Sequence, residues 1–262
     1  MEKDRLENKK IAIIGFGHMG QALFEGLINS GFNKQNILTS SDKKNNKKNA
    51  QKADWIIVAV KPFQVKEVIK EIRTVIRGKI LLSVAATVDM DLLEKYCKNP
   101  KQKIIRLMPN IPISKNQGVI GIYPNRNINT KDEKQITELV SGLGEVIKVK
   151  SDKEIDILTL ISACGPAIIS YFIELLTKYG ETKDFFSDDS LNIVLRTFEG
   201  TLNYLKKTKL TPTQLKESVA TKGGITEKII NDLIKEKLNI KFEKSMEKGF
   251  FKIKEIKNKL IL

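Results

Sequence analysis

Apolar residues in the first half of the chain gather in short unbroken runs, separated by segments with helical spacing. Ile11 to Ile14 forms one run, and Met19 to Asn29 then carries Ala22, Leu23, Gly26 and Leu27 on one helical face before Gly31 ends it. This predicts strand, glycine turn and helix in immediate succession. Further runs lie at Asn36 to Thr39, Trp55 to Val60, Ile80 to Val84 and Ile104 to Leu107, with helical patterns such as Val65 to Arg77 between several of them. Short strands near Val119 to Tyr123 and Glu145 to Val149 finish the set. Strands alternating with helices predict an α/β unit built on a parallel sheet. From about Lys153 the strand signals stop and long helical patterns take over, which places a boundary near residue 150 and an all-helical part at residues 151–262.

Within that second part, Ile155 to Lys178 is apolar on nearly every face, and about 110 residues can hardly bury such a helix alone. A dimer core is the simplest solution. The uncharged run Ile157 to Ile173 is shorter than the about 20 residues that span a bilayer and is interrupted by Gly165 and Pro166, so it reads as buried protein. Gly165 and Pro166 within it call for close backbone packing or a kink. The last stretch, Leu238 to Leu262, has the pattern of a packed, lysine-rich surface helix.

Composition narrows the chemistry. The 262 residues carry 46 Lys and Arg against 31 Asp and Glu, a formal charge of +15. Lysines are spread along the chain and interleaved with Glu, and no aromatic residues accompany the densest basic run, so the charge reads as solvated helix faces rather than a nucleic-acid surface. Neither a nucleic acid nor a membrane is expected as a partner. Cys97 and Cys164 fit neither a disulfide framework nor a metal pattern, and the charged amino terminus lacks the apolar stretch of a signal peptide, which together suggest the cytoplasm. His18 is the only histidine, so multi-histidine metal sites are excluded and no metal is expected. Ser-His-Asp and Cys-His catalysis fall away unless His18 itself serves.

Ligands of open α/β sheets bind beyond the carboxyl ends of the strands. Gly15, Gly17 and Gly20 stand there in the G-x-G-x-x-G spacing, directly after a strand and at the start of a helix. The first permits a tight turn, the second lets backbone approach a pyrophosphate, and the third lets helix and strand pack closely. Phe16, His18 and Met19 complete the turn, with His18 contributing its backbone. This constellation predicts a bound dinucleotide. About 20 residues on, where an acidic side chain would hold the ribose of NAD, the strand ends in Ser40 and Ser41, followed by Lys43 and Lys44. Hydroxyls and ammonium groups suit the 2′-phosphate of NADP, so NADP(H) is preferred and NAD(H) possible, with Asp42 weighing the other way. The rest of the basic run Lys43 to Lys52 reads as a solvated loop. Near the other end, Thr221 to Thr226 reads Thr, Lys, Gly, Gly, Ile, Thr before a helical pattern. Two glycines there can aim N–H groups at an anion such as a carboxylate, with Thr226 adding a hydroxyl, or they can form a plain helix cap.

Taken in order, Ile13 to Ala22, Ala59 to Pro62, Ser83 to Ala86, Arg106 to Pro112, Ser162 to Ala167 and Gln214 to Thr226 resemble the motifs of the pyrroline-5-carboxylate reductase family over nearly the whole chain. The resemblance implies a Rossmann-type parallel sheet at residues 1–150 and an all-helical dimerisation and substrate domain at residues 151–262. It implies NAD(P)H-dependent reduction of the cyclic imine 1-pyrroline-5-carboxylate to L-proline in a homodimer or higher homo-oligomer. The cofactor would also meet Val60, Lys61, Pro62 and Asn46, with its nicotinamide near Ala85, Ala86, Met108, Pro109 and Asn110. Thr226 would hydrogen-bond the ring nitrogen and help its protonation. Backbone at Gly223, Gly224 and Ile225 would hold the substrate carboxylate, with Thr221 beside it.

The chain also departs from the family pattern. Between Ser41 and Asp54 it is shorter by roughly a helix and a strand, which would remove part of the adenine pocket. The usual Ser-Gly-Ser-Gly-Pro-Ala-Tyr stands as Ser162, Ala163, Cys164, Gly165, Pro166, Ala167, Ile168, and the usual Ser-Pro-Gly-Gly as Thr221, Lys222, Gly223, Gly224. Both changes resemble the late-competence, ComER-like branch. That resemblance implies an alternative, a member that binds NAD(P) in a regulatory or different imine-reducing role.

Overall fold

The computed structural model describes residues 8–183 and 187–261. Seven strands form one sheet in the order β2-β1-β3-β4-β5-β6-β7: β1 (Ile11–Ile14), β2 (Ile37–Ser40), β3 (Trp55–Val58), β4 (Ile80–Ser83), β5 (Lys103–Pro109), β6 (Gly118–Pro124) and β7 (Gly144–Lys148). Strands β1, β3 and β4 are buried along their whole length, as unbroken apolar strands must be when helices cover both faces of a sheet. On one face Ile11, Ile13, Ile57 and Ile105 pack with Leu23 and Leu27 of α1 (His18–Asn29) and with Ile136 and Leu139 of α5 (Thr130–Ser141). On the other, Ile14, Ile56, Leu81 and Ile104 meet Ala50 of α2 (Lys43–Lys52), Ile69 and Ile72 of α3 (Pro62–Ile72) and Leu93 of α4 (Met90–Cys97).

All pairings are parallel except β5 with β6. The reason is connection length. Residues 110–117, including a 3-10 turn at Ile111–Lys115, cannot make the crossover of a dozen or more residues that parallel strands need. The chain therefore turns back antiparallel.

Lys43–Lys52 is helix α2 and not a solvated loop. Its sequence carries a single apolar residue, yet tertiary contacts hold it. Asp42 caps it by accepting from the Asn45 amide at 3.1 Å, and Ala50 and Asn46 are buried. At its far end the Lys79 ammonium donates to the Ala50 and Gln51 carbonyls at 2.8 and 2.6 Å, where the helix dipole favours a cation. The helix of the shortened segment is thus present, and β2 is one of the sheet's two edge strands among the described residues.

Compact units do not follow the expected division at residue 150. One unit comprises Met1–Pro166 with Gly249–Leu262, the other Ala167–Lys248. The helix α6 (Asp152–Leu158) belongs to the sheet unit because Ile155 and Leu158 pack on Met108. After α6 comes a π turn, Thr159–Ala163, and then α7 (Gly165–Glu181). A Cβ on Gly165 would touch nothing within 4 Å, so the Gly-Pro pair marks a break in the helix and not a tight packing point.

The helical unit contains the greater part of α7, all of α8 (Ser187–Thr208), α9 (Pro212–Val219) and α10 (Ile225–Lys235), and the first part of α11 (Leu238–Ile261). The burial expected for the apolar helix does not occur within one chain, since α7 has no buried residue and Tyr179 is 65% exposed. By length and composition alone Asp152–Glu181, which includes the uncharged run and its charged flanks, is long and apolar enough to cross a membrane. The end of α11 packs as expected: Ile253 is buried and the Leu260 carbonyl accepts from the Tyr96 hydroxyl at 3.3 Å.

Candidate dinucleotide and substrate sites

The glycine turn after β1 shows three separate constraints. Gly15 has φ +96°, and a Cβ there would stand 2.6 Å from the Ala59 carbonyl oxygen. Gly20 would place a Cβ 2.1 Å from the Gly15 carbonyl oxygen, so α1 approaches the turn more closely than any side chain permits. Gly17 differs from both, with nothing within 4 Å of its Cβ direction. It is the N-cap of α1, donates no side-chain cap, and no acidic residue stands in the first turn. The first amides of the helix have no intrahelical acceptor, so His18, Met19 and Gly20 present N–H groups at an open face. A pyrophosphate fits this face. Phe16 is braced from behind, its ring edge-on to Phe24 at 5.5 Å and its carbonyl accepting from the Gln21 side-chain Nε2 at 3.2 Å.

The sheet order sets the other expected cofactor residues in a row along the carboxyl edge. Strand order reverses at β1, between β2 and β3, which is the topological switch point where such sheets bind ligands. Beyond β2, the buried Ser40 hydroxyl donates to Asn46 Oδ1 at 2.8 Å, and Asn46 Nδ2 donates to Glu71 at 3.0 Å. These two side chains hold each other. Ser41, Lys43 and Lys44 are exposed, while the Asp42 carboxylate is engaged as the cap of α2. Beyond β3, half-buried Val60 lies against Gly15, exposed Lys61 is the N-cap of α3, and Pro62 is its first residue.

Beyond β4 and β5 the edge is apolar. Ala85 and Met108 are buried, Ala86 packs on the Met108 cluster, and Pro109 ends β5. Asn110 is engaged within the protein: its Oδ1 accepts from the Val119 amide at 2.9 Å and its Nδ2 donates to the Ser162 carbonyl at 3.4 Å. It braces this edge against the π turn. Thr87, next along the β4 loop, has φ +67°, a strained conformation for a β-branched residue.

Sequence reasoning missed a buried ion cluster directly beneath these two loops. Arg106 of β5, its side chain 2% exposed, pairs with Asp89 at 3.3 Å and with Asp152. Lys257 of α11 pairs with Asp89 at 2.7 Å and Asp156 at 2.5 Å. The carboxylate of Asp152 also accepts from the Met90 amide at 3.2 Å, capping α4 in place of Asp89. Burial, the largest influence, raises the Asp89 pKa above the ordinary carboxylate value against the opposing pull of Lys257. The one sequence signal was an arginine inside an otherwise apolar strand.

In the helical unit, Gly223 has φ +74° and Gly224 is the N-cap of α10 without a side-chain cap. The Gly223 amide donates to Glu227 at 2.7 Å, and the Gly224 amide to the Thr221 carbonyl at 2.9 Å. Ile225 and Thr226 open the helix, where amides lack intrahelical acceptors. Glu227, also missed from sequence, closes the Gly223 amide with its own carboxylate, so the amides without a partner are those that open the helix at Ile225 and Thr226.

The two cysteines are both free. Burial and, less strongly, Glu94 push the Cys97 thiol up to about 12, whereas Cys164 is exposed. The thiolate is the reactive form. A disulfide reagent at pH about 8 should therefore leave Cys97 unmodified in the native protein and modify it on unfolding in urea, read by peptide mass. Native labelling of Cys97 would contradict this burial.

An open sheet with its switch point at a glycine turn, an apolar floor further along the same edge, and a succeeding helical unit defines a dinucleotide-dependent oxidoreductase of the Rossmann class. Residues 152–256 match the family model described as pyrroline-5-carboxylate reductase dimerisation, and residues 10–48 and 41–87 match that of NADP oxidoreductase, coenzyme F420-dependent. The chain is 30% identical to the pyrroline-5-carboxylate reductase of Aquifex aeolicus over 233 residues, covering 83% of this chain and 86% of that protein. It superposes on the crystal structure of Plasmodium falciparum pyrroline carboxylate reductase with NADP bound at a TM-score of 0.91 and 30% identity, covering 96% of this chain and 99% of that one. For a pyrroline-5-carboxylate reductase from Coxiella burnetii the TM-score is 0.81 and the identity 26%, over 94% and 98% of the two chains. The chain belongs to the pyrroline-5-carboxylate reductase family. These likenesses favour the reductase over the regulatory alternative.

Proposed function

We propose that this protein reduces 1-pyrroline-5-carboxylate to L-proline, using NADPH in preference to NADH. The observation that carries the proposal is the open face at Gly17, flanked by two glycines whose backbones cannot accept a side chain, in a chain alike over most of its length to named reductases. When bound, NADPH supplies the hydride that adds to the imine carbon.

The chain's own residues do the rest. Amides at the start of α1 hold the pyrophosphate, and Ser41, Lys43 and Lys44 receive the 2′-phosphate, with the Asp42 carboxylate turned to its cap of α2. Ala85, Ala86 and Met108 to Asn110 form a dry floor for the nicotinamide, and Ser40, Asn46, Val60, Lys61 and Pro62 shape the adenosine side. In the helical unit, the amides of Ile225 and Thr226 receive the substrate carboxylate, with Gly223 and Gly224 setting the turn and Thr221 beside it. The Thr226 hydroxyl donates to the ring nitrogen, which takes one proton, supplied by solvent water through that hydroxyl, as its carbon gains the hydride. The unburied apolar residues of α7, among them Ile169, Tyr171 and Leu175, support a homodimer or higher homo-oligomer that covers them. Two free thiols suit a reducing cytoplasm.

Purified protein should consume NADPH only when the imine is supplied and form one proline per NADPH. Thr226→Ala should lower turnover on the order of 100-fold while the NADPH dissociation constant holds. Absence of imine-dependent oxidation in the wild type would overturn the proposal. Unchanged turnover in Thr226→Ala would remove that residue's part in it.

A further inference from the structure

Both loops that carry the nicotinamide floor are tied to one buried ion cluster. Asp89 lies two residues beyond Thr87 in the β4 loop, and Arg106 lies two residues before Met108 on β5. The cluster contains two cations, Arg106 and Lys257, and three carboxylates, Asp89, Asp152 and Asp156. Asp89 is the member that both cations share. The second cation arrives from far along the chain, which leaves the sheet unit at Pro166 and returns at Gly249 with the end of α11.

Thr87 gives this arrangement a purpose beyond stability. A β-branched residue at φ +67° is strained and persists only where its surroundings over-determine it. Its hydroxyl is turned back on the Ala86 carbonyl at 2.5 Å. Just past it, Asp89 is clamped from two sides, by Arg106 at 3.3 Å and by Lys257 at 2.7 Å. Ala85 and Ala86 precede the strained residue and share its conformation's consequences.

We infer that Lys257 is a positioning residue for hydride transfer: through Asp89 it holds the Ala85–Thr87 loop in its strained form, and so sets the height of the nicotinamide floor. This rests on the proposed reading that the nicotinamide lies along Ala85, Ala86 and Met108 to Asn110. The pyrophosphate grip at Gly15–Gly20 lies on another strand end and does not depend on the clamp.

The test separates position from stability. Lys257→Met removes the Lys257 side of the clamp and leaves Arg106 on Asp89, and the double variant Lys257→Met with Asp156→Asn does so while keeping the cluster's charge balance, in case the single variant fails to fold. In the folded variant, turnover with NADPH and the imine should fall on the order of 10-fold to 100-fold, because small misplacement of reacting groups is costly. The NADPH dissociation constant should hold. The primary isotope effect with NADPH deuterated at the transferred position should rise as hydride transfer becomes rate-limiting. Lys257→Arg should restore both. A double variant with wild-type turnover and isotope effect, altered only in melting temperature, would overturn the inference, as would parallel losses of turnover and NADPH affinity. Wild-type protein that reduces no imine would be recognised first in the same assay, and would remove the underlying reading together with this one.

Discussion

Gly17→Ala should leave the fold intact and abolish the stabilisation by NADPH, whereas Gly20→Ala should unfold the sheet unit at moderate temperature. Gly17 has φ −78° and ψ −167°, which alanine adopts without strain, and its Cβ would enter open space. The cost to the apo protein is about 1 kcal/mol or less, that of a changed N-cap. The new methyl group nevertheless stands where the pyrophosphate must approach backbone. At Gly20 the same methyl group would lie 2.1 Å from the Gly15 carbonyl oxygen, a backbone atom that no rotamer change can move. Overpacking of that kind costs about 1–3 kcal/mol where side chains can yield, and more here.

Thermal unfolding with and without NADPH reads both effects, since a ligand that binds only the folded state raises the melting temperature with its concentration. Wild type should shift upward, Gly17→Ala should melt with the wild-type apo protein and shift little, and Gly20→Ala should melt well below both. A full NADPH shift in Gly17→Ala would mean that the open side of the turn faces no ligand.

Arg106→Met should destabilise the protein by about 3 kcal/mol, the lower part of the range for breaking a buried ion pair from one side. Its guanidinium is almost wholly buried, while Asp89 and Asp152 keep some solvent, which tempers the loss. Both carboxylates would lose a cation, and Asp89 would keep only Lys257. The deficit should depend on pH. Asp89 already has a raised pKa in the folded protein, and removing Arg106 raises it further. A carboxyl with a raised folded pKa contributes stability below its unfolded pKa, and that contribution is lost as pH rises through the folded value. The deficit of Arg106→Met should therefore be larger at neutral pH than in the carboxylate range, and urea unfolding at the two conditions measures it. An equal deficit at both would show that lost packing, not charge, is responsible. Arg106→Met with Asp152→Asn should recover part of the loss.

Much of the cofactor half was legible because its signals are local. Ile11–Ile14 followed by Gly15, Gly17 and Gly20 is a strand, a turn and a helix within a few residues of one another, and each glycine's task depends on neighbouring backbone. Strand runs such as Trp55–Val58 are readable for the same reason, since burial on both faces demands unbroken apolar residues. Helix α2 was not. Lysine and asparagine dominate Lys43–Lys52, and the stabilising groups come from elsewhere: Ser40 and Glu71 on Asn46, and Lys79 on the last carbonyls. Long-range hydrogen bonds leave no periodicity. The same holds for the loop before α10, where the need for Gly223 was readable from its glycine pair but the choice of Glu227 as its partner was not.

The amino-acid order on its own was enough for the α/β unit, the glycine turn, the row of strand ends and the helical character of the chain beyond about Lys153, because each depends on spacing within one element or between neighbours. Tertiary structure alone decided that Ser40 and Asn46 hold each other, that Asn110 braces the π turn, and that Asp89, Arg106, Asp152, Asp156 and Lys257 meet. It also decided that the end of the last helix belongs with the sheet. Such groups come together only when burial of apolar surface has closed the chain on itself, and the favourable pairing of charges far apart in sequence then depends on a shared interior that no local pattern announces.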